Sequence, residues 1–197
     1  MTPAFDRGTA PNPDEECPFC LIAASFPPFD PRQPPTSSPD ATRDQHPLDP
    51  GRVSPPAYVV LSTPTLMAFL DILPLSRGHL LLCPRAHRPK LTDTTAAESA
   101  ELGRYLRVLS AALAQSTGVV DWNVVQNNGA AAAQVVPHMH FHLIPRPEIR
   151  AAGRYSESFT MFGRGRREEL DDQDAETLAN QLRASIVDII TADKANL

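Results

Sequence analysis

Long apolar runs are missing from this 197-residue chain: no stretch of about 18 apolar residues occurs, and Met1 to Ala10 lack the charged-then-apolar order of a secretory leader. Membrane spanning and secretion are not expected, and the cytosol or the nucleus is the expected compartment. A basic excess is missing too. With 18 Lys and Arg against 23 Asp and Glu the formal charge is −5, so no nucleic-acid partner held through a basic face is expected. Cysteine is scarce. Three residues are too few for a disulfide framework. Cys83 lies in an apolar run and reads as core, whereas Cys17-Pro18-Phe19-Cys20 has the spacing of a metal clip or a redox pair. What the chain does have is 42% hydrophobic residues, enough for the core of one domain with an appendage.

Proline is concentrated: 14 of the 21 fall in the first 60 positions. From Pro27 to Pro56 there is little apolar to offset the entropy of ordering, and 27–56 reads as a mobile insertion. The expected organisation is a flexible terminus at 1–14, a domain at 15–147 containing that insertion, and an extension at 148–197. Tyr58 to Leu61, Thr65 to Leu70, Gly78 to Pro84, Trp122 to Gln126 and His138 to Ile144 read as five strands. Thr95 with Glu98 forms a capping box for a long helix that Gly118 ends, with Leu102, Leu106, Leu109 and Leu113 on one face. A second amphipathic helix spans about Asp172 to Ile190, after an irregular Arg-containing stretch. The basic cluster Arg164, Arg166 and Arg167 reads as solvated surface.

Five of the six histidines lie between His79 and His142, and three alternate with apolar residues. In a strand, residues two apart share a face, so His138, His140 and His142 line one side and Met139, Phe141 and Leu143 face the core. Solubility does not explain such a row, since Lys, Glu or Thr would serve as well.

His138-Met139-His140-Phe141-His142-Leu143-Ile144 resembles the signature of the histidine triad (HIT) family. Asn127-Asn128-Gly129 with Gln134, Phe69-Leu70-Asp71-Ile72, Gly78-His79-Leu80 and Pro84-Arg85-Ala86-His87 are similar to further elements of that family. The resemblance implies an α+β fold with a five-stranded, mostly antiparallel sheet, a long helix and a C-terminal helix, paired as a homodimer through the long helix and an edge strand. It implies hydrolysis at the α-phosphate of a purine nucleotide conjugate, adenosine by expectation, with His140 as the nucleophile that carries a covalent nucleotidyl group. His142, His79 and His138 complete the catalytic histidines. Asp71 would bond the ribose, Asn127 the phosphate or ribose side, Gln134 is a further substrate-binding candidate, and Ile22, Phe69 and Ile72 would sandwich the base. Cys17, Cys20, His87 and His138 match the ligands of zinc-containing members, with a structural and not a catalytic zinc.

Asn127 and the cysteine pair resemble the Hint or bacterial-type branch, whose substrates are nucleoside phosphoramidates. The sequence departs from the family at Ala133-Gln134-Val135, where Gly-Gln-Ser or Gly-Gln-Thr is usual. The missing hydroxyl puts help to a leaving amine in question. Dinucleoside polyphosphate hydrolysis is the enzyme alternative, and a nucleotide-binding regulator with weak catalysis is the alternative of another class.

Overall fold

The computed structural model describes residues 17–36, 46–153 and 169–195. In chain order the elements are α1 (Pro18–Ser25), β1 (Val59–Ser62), β2 (Leu66–Leu70), β3 (Leu80–Pro84), α2 (Ala96–Thr117), β4 (Trp122–Gln126), β5 (Phe141–Pro145), α3 (Pro147–Ala152) and α4 (Asp172–Ala195), with short 3-10 turns between. The five strands form one sheet in the order β1-β2-β3-β5-β4, every neighbouring pair antiparallel. The α+β fold expected from sequence is the fold observed. No helix among the described residues is long and apolar enough to cross a membrane.

The unbroken apolar runs of β2 and β3 follow from burial on both faces. Leu66, Ala68, Leu70, Leu80 and Leu82 face a large core shared with α2 and α4, while Met67, Phe69, Leu81 and Cys83 face a smaller one shared with α1. Helix α2 starts where Thr95 and Glu98 cap each other and stops where Gly118 takes φ +69°, a left-handed conformation cheap only for glycine. Leu178, Leu182 and Ile186 of α4 are buried in the same core, so the C-terminal segment is part of the domain's packing and not an appendage. Polar links align the two helices: Ser116 with Ser185 at 2.9 Å, Gln115 to Asp188 at 3.2 Å and an Arg107–Asp193 ion pair.

Three expectations need correction. The fifth strand begins at Phe141, so His138 to His140 precede it; Met139 N–H instead donates to Arg88 O, outside the sheet. The stretch after Pro145 is the short helix α3, its start preset by Pro147. Both arms of the proline-rich insertion are packed: Phe29 N–H donates to Ser62 O at 2.7 Å, Leu48 is buried, and Asp49 caps a 3-10 turn at Pro50–Arg52. Leu48 with Phe29 and Val53 supplies the apolar contact that the low average apolar content of 27–56 conceals. Residues 37–45, the terminus 1–14 and Arg164, Arg166 and Arg167 lie outside the described residues.

Arg85 fixes α1 to the sheet. Its guanidinium donates to Phe26 O at 2.9 Å, to Ser62 Oγ at 2.7 Å and to Ala23 O, occupying carbonyls at the helix C-terminus. The integration of α4 is testable: Leu182→Ala should lower unfolding free energy by about 2–5 kcal/mol, read by urea titration as a shifted single transition. A loss below about 0.5 kcal/mol, as for surface substitutions, would show that α4 is peripheral.

Candidate active site and metal centre

Two side-chain clusters meet at the start of β5. In the first, Cys17, the N-cap residue of α1, and Cys20 face His87 and His138. Cys17 Sγ lies 3.4 Å and Cys20 Sγ 3.6 Å from His138 Nδ1, and Cys20 Sγ lies 3.4 Å from His87 Nδ1. All four donor atoms fall within 4.8 Å of one another. In a tetrahedral zinc site, Zn–S and Zn–N bond lengths put sulfur and nitrogen about 3.5 Å apart, so the donor spacing fits a metal of that size and geometry. The tautomer fits as well: His138 Nε2–H donates to Pro84 O at 2.8 Å, which leaves the Nδ1 lone pair aimed at the thiols. Burial pushes His138 down to about 4, against the raising effect of the Pro84 bond, so its ring is neutral and able to ligate near pH 7.

The second cluster holds the other triad members. His140 Nδ1–H donates to His138 O at 2.6 Å, so the Nε2 carries the lone pair. Burial moves His140 below the ordinary histidine range, opposed by that hydrogen bond and by the charge of Asp71. The His142 ring stands 4.7 Å from the His140 ring, centroid to centroid. His142 is tied to His79 through a 2.9 Å contact between His79 Nε2 and His142 Nδ1. Leu75 N–H donates to His79 Nδ1 at 3.2 Å, which makes His79 Nε2 the donor to His142 and leaves the proton of a neutral His142 on Nε2. Asp71 Oδ2 lies 3.4 Å from His79 Nδ1, placed to stabilise an imidazolium, while Asp71 Oδ1 accepts from Leu73 N–H.

The structure therefore brings together His138 with Cys17, Cys20 and His87, and His140 with His142, His79 and Asp71. The histidines are not an exposed row: His138 and His140 are buried beneath α1. Phe69 sits in the smaller core, with Ile22 half-buried against it, and half-buried Ile72 follows Asp71. Asn127 is half-buried in the loop after β4. Gln134 is committed to the loop itself, accepting from Gly129 N–H at 2.6 Å and donating to Pro89 O at 2.7 Å. Cys83 is fully buried and desolvation raises its thiol pKa, so it stays an inert core residue. Sequence reasoning missed three contributors. The Pro84 carbonyl and Leu75 amide are backbone groups with no side-chain signature, but Phe19, between the two cysteines, was in plain view.

A sheet with a buried imidazole held by a preceding carbonyl, flanked by a second histidine pair and a thiol–imidazole cluster, defines a histidine-centred site on an α+β fold. The family model described as HIT domain matches residues 53–149. The chain is 37% identical over 92 residues to an adenosine 5'-monophosphoramidase of Schizosaccharomyces pombe, covering 47% of this chain and 66% of that protein. It is 37% identical over 93 residues to an uncharacterized HIT-like protein of Methanocaldococcus jannaschii, covering 47% of this chain and 71% of that protein. A solved zinc-bound histidine triad family protein from Mycobacterium smegmatis superposes with a TM-score of 0.60 at 25% identity, over 90% of this chain and 97% of that one. This chain belongs to the HIT family. Its curated relatives are matched over part of their length, 66% of the fission-yeast protein and 42% of another.

One departure from the family pattern has a measurable consequence. Ala133 adopts φ +63°, ψ +28°, where a Cβ is penalised. Because left-handed backbone costs a non-glycine residue about 1–2 kcal/mol, part of it offset by glycine's larger unfolded-state entropy, Ala133→Gly should stabilise the protein by roughly 0.5–1 kcal/mol. A thermal unfolding midpoint that falls in the variant would contradict this.

Proposed function

We propose that the protein hydrolyses nucleoside phosphoramidates, or closely related adenylyl conjugates, through a covalent nucleotidyl group on His140. The observation that carries the reading is the 2.6 Å bond from His140 Nδ1 to His138 O, which leaves a neutral, buried imidazole with its Nε2 lone pair available. In the first step Nε2 attacks the α-phosphorus, the bond to the leaving amine breaks, and the amine takes a proton. That proton comes from His142 Nε2 when the His142–His79 pair carries one proton more than two neutral rings, a charge that Asp71 beside His79 is placed to stabilise. In the second step water attacks phosphorus and gives a proton back to His142, the phosphorus–nitrogen bond to His140 breaks, and the nucleoside monophosphate leaves with the His140 imidazole restored. Asp71, Ile22, Phe69 and Ile72 are assigned to the nucleoside and Asn127 to the phosphate side. Gln134 contributes indirectly, by shaping the loop that its amide spans.

The metal of the Cys17, Cys20, His87 and His138 set is proposed to be zinc, a cross-link between α1 and the start of β5 that takes no part in bond breaking. The relative named as an adenosine 5'-monophosphoramidase and the zinc-bound structural neighbour support both assignments. Pairing of two copies through α2 and the edge strand β4 remains part of the proposal, as does work in a reducing compartment where the thiols stay ligands. On β4 Trp122 and Val124 are exposed.

Turnover of adenosine 5′-phosphoramidate and of a diadenosine polyphosphate, followed by AMP release, tests the reaction. Wild type should favour the phosphoramidate, and His140→Ala should lower the rate by at least about 10³-fold, the scale of losing a nucleophile. Preference for the polyphosphate would move the protein to the other branch, and AMP binding without turnover of either would leave a nucleotide-binding regulator. Val135 is 44% exposed where the family has a hydroxyl, and Val135→Ser should raise the phosphoramidate rate if that hydroxyl assists the leaving amine; no gain would show that His142 suffices. Metal analysis should find about one zinc per chain, lost in Cys20→Ser, and a metal-free wild type would sink the zinc assignment.

A further inference from the structure

Phe19 is buried, 7% exposed, and it is the aromatic residue between the two cysteines. Its ring meets the His140 ring edge-on, centroids 5.2 Å apart at 83°, and the His138 ring at 5.6 Å and 59°. Phe69 backs it from the sheet at 5.2 Å and 76°. The same side chain thus touches a metal-ligand candidate, the nucleophile candidate and the core.

The His138 carbonyl fixes which nitrogen of His140 holds the proton, but one hydrogen bond does not fix the tilt of the ring, which is left to its packing against the His142 ring at 4.7 Å and the Phe19 ring at 5.2 Å. A near-attack geometry needs the second constraint, since a displacement of about 1 Å can cost about 10²-fold in rate. The ring of Phe19 provides it, and α1 carries that ring. One end of α1 is anchored by Arg85 at Ala23 O and Phe26 O. The other end has no side-chain cap, and what holds it is the approach of Cys17 and Cys20 to the two histidines.

We infer that Phe19 is a positioning residue for His140, seated by closure of the Cys17, Cys20, His87 and His138 cluster, so that metal occupancy and the geometry of the nucleophile are one linked equilibrium. The linkage is thermodynamic: a metal that binds the closed cluster only shifts the population towards the seated Phe19, and the seated Phe19 tightens the metal by the same factor. This rests on His140 being the nucleophile, but its structural half is measurable without turnover.

The test uses the full chain labelled with 15N-histidine, wild type, Phe19→Leu and Phe19→Ala, each with zinc and after metal removal, at one fixed pH. Phe19→Ala is expected to shift the His140 ring resonances and to broaden its Nδ1 proton by faster exchange, with Phe19→Leu intermediate. Metal removal from wild type should move the same signals in the same direction. In parallel, kcat should fall about 10- to 100-fold while KM changes by less than about twofold for both adenosine and uridine phosphoramidates. Unchanged His140 resonances in both folded variants would overturn the inference and leave Phe19 as core packing. A loss confined to KM and dependent on the base would overturn it in favour of a wall of the base pocket. His140 signals that respond to Phe19→Ala but not to metal removal would remove the coupling. Absence of turnover in wild type, with the resonance shifts as expected, would count against the hydrolase reading and not against this one.

Discussion

His138 is the residue through which the two halves of the site are connected. Its carbonyl accepts from His140 Nδ1–H, its Nε2–H is spent on Pro84 O, and its Nδ1 faces both thiols. Each bond determines the next: the Pro84 carbonyl sets the His138 tautomer, which frees Nδ1 for a metal, while the main chain of the same residue sets the tautomer of His140. A buried imidazole without such partners would face a large desolvation penalty with two possible protonation sites. Here backbone groups place the ring protons of His138, His140 and His79, and backbone groups held at the end of β3 and in the packed segments beside the sheet do not rearrange cheaply.

That rigidity comes from a sheet buried on both sides. The large core with α2 and α4 holds β1, β2 and β3 from one face, and α1 with the arms of the proline-rich insertion covers the other only in part. The two faces are closed to a similar degree: Met139 and Leu143 are buried on the α2 side with Phe141 half-buried, and His138 and His140 are buried on the other with His142 half-buried. A site that needs fixed donors and access to substrate is well served at the edge of an incomplete layer.

Much of this was legible in the residues. Alternation through His138 to Leu143 separated the two faces even though the hydrogen-bonded strand starts only at Phe141: Met139 and Leu143 join the α2-side core, while the His138 and His140 rings meet Phe19. The capping box at Thr95 and the glycine stop at Gly118 placed α2 within a residue. Less was legible where tertiary contacts decide. A few apolar residues, Phe29, Leu48 and Val53, dock both arms of the insertion, and composition averages over 30 positions hid them. Gln134 has the position of a substrate ligand in the family pattern, but its amide is consumed by Gly129 and Pro89, which no motif announces. The sequence assigns Phe19 no role, because its partners lie 50 and 121 positions away, at Phe69 and His140.

The central claim is that the His138 carbonyl commits His140 to attack through Nε2. The most direct measurement is the regiochemistry of the trapped intermediate. After rapid acid-free quenching with adenosine 5′-phosphoramidate, phosphorus–nitrogen coupling in 15N-histidine protein identifies which ring nitrogen of which residue carries phosphorus. The account predicts a nucleotidyl group on Nε2 of His140 alone. Phosphorus on Nδ1, or on His142, would contradict it.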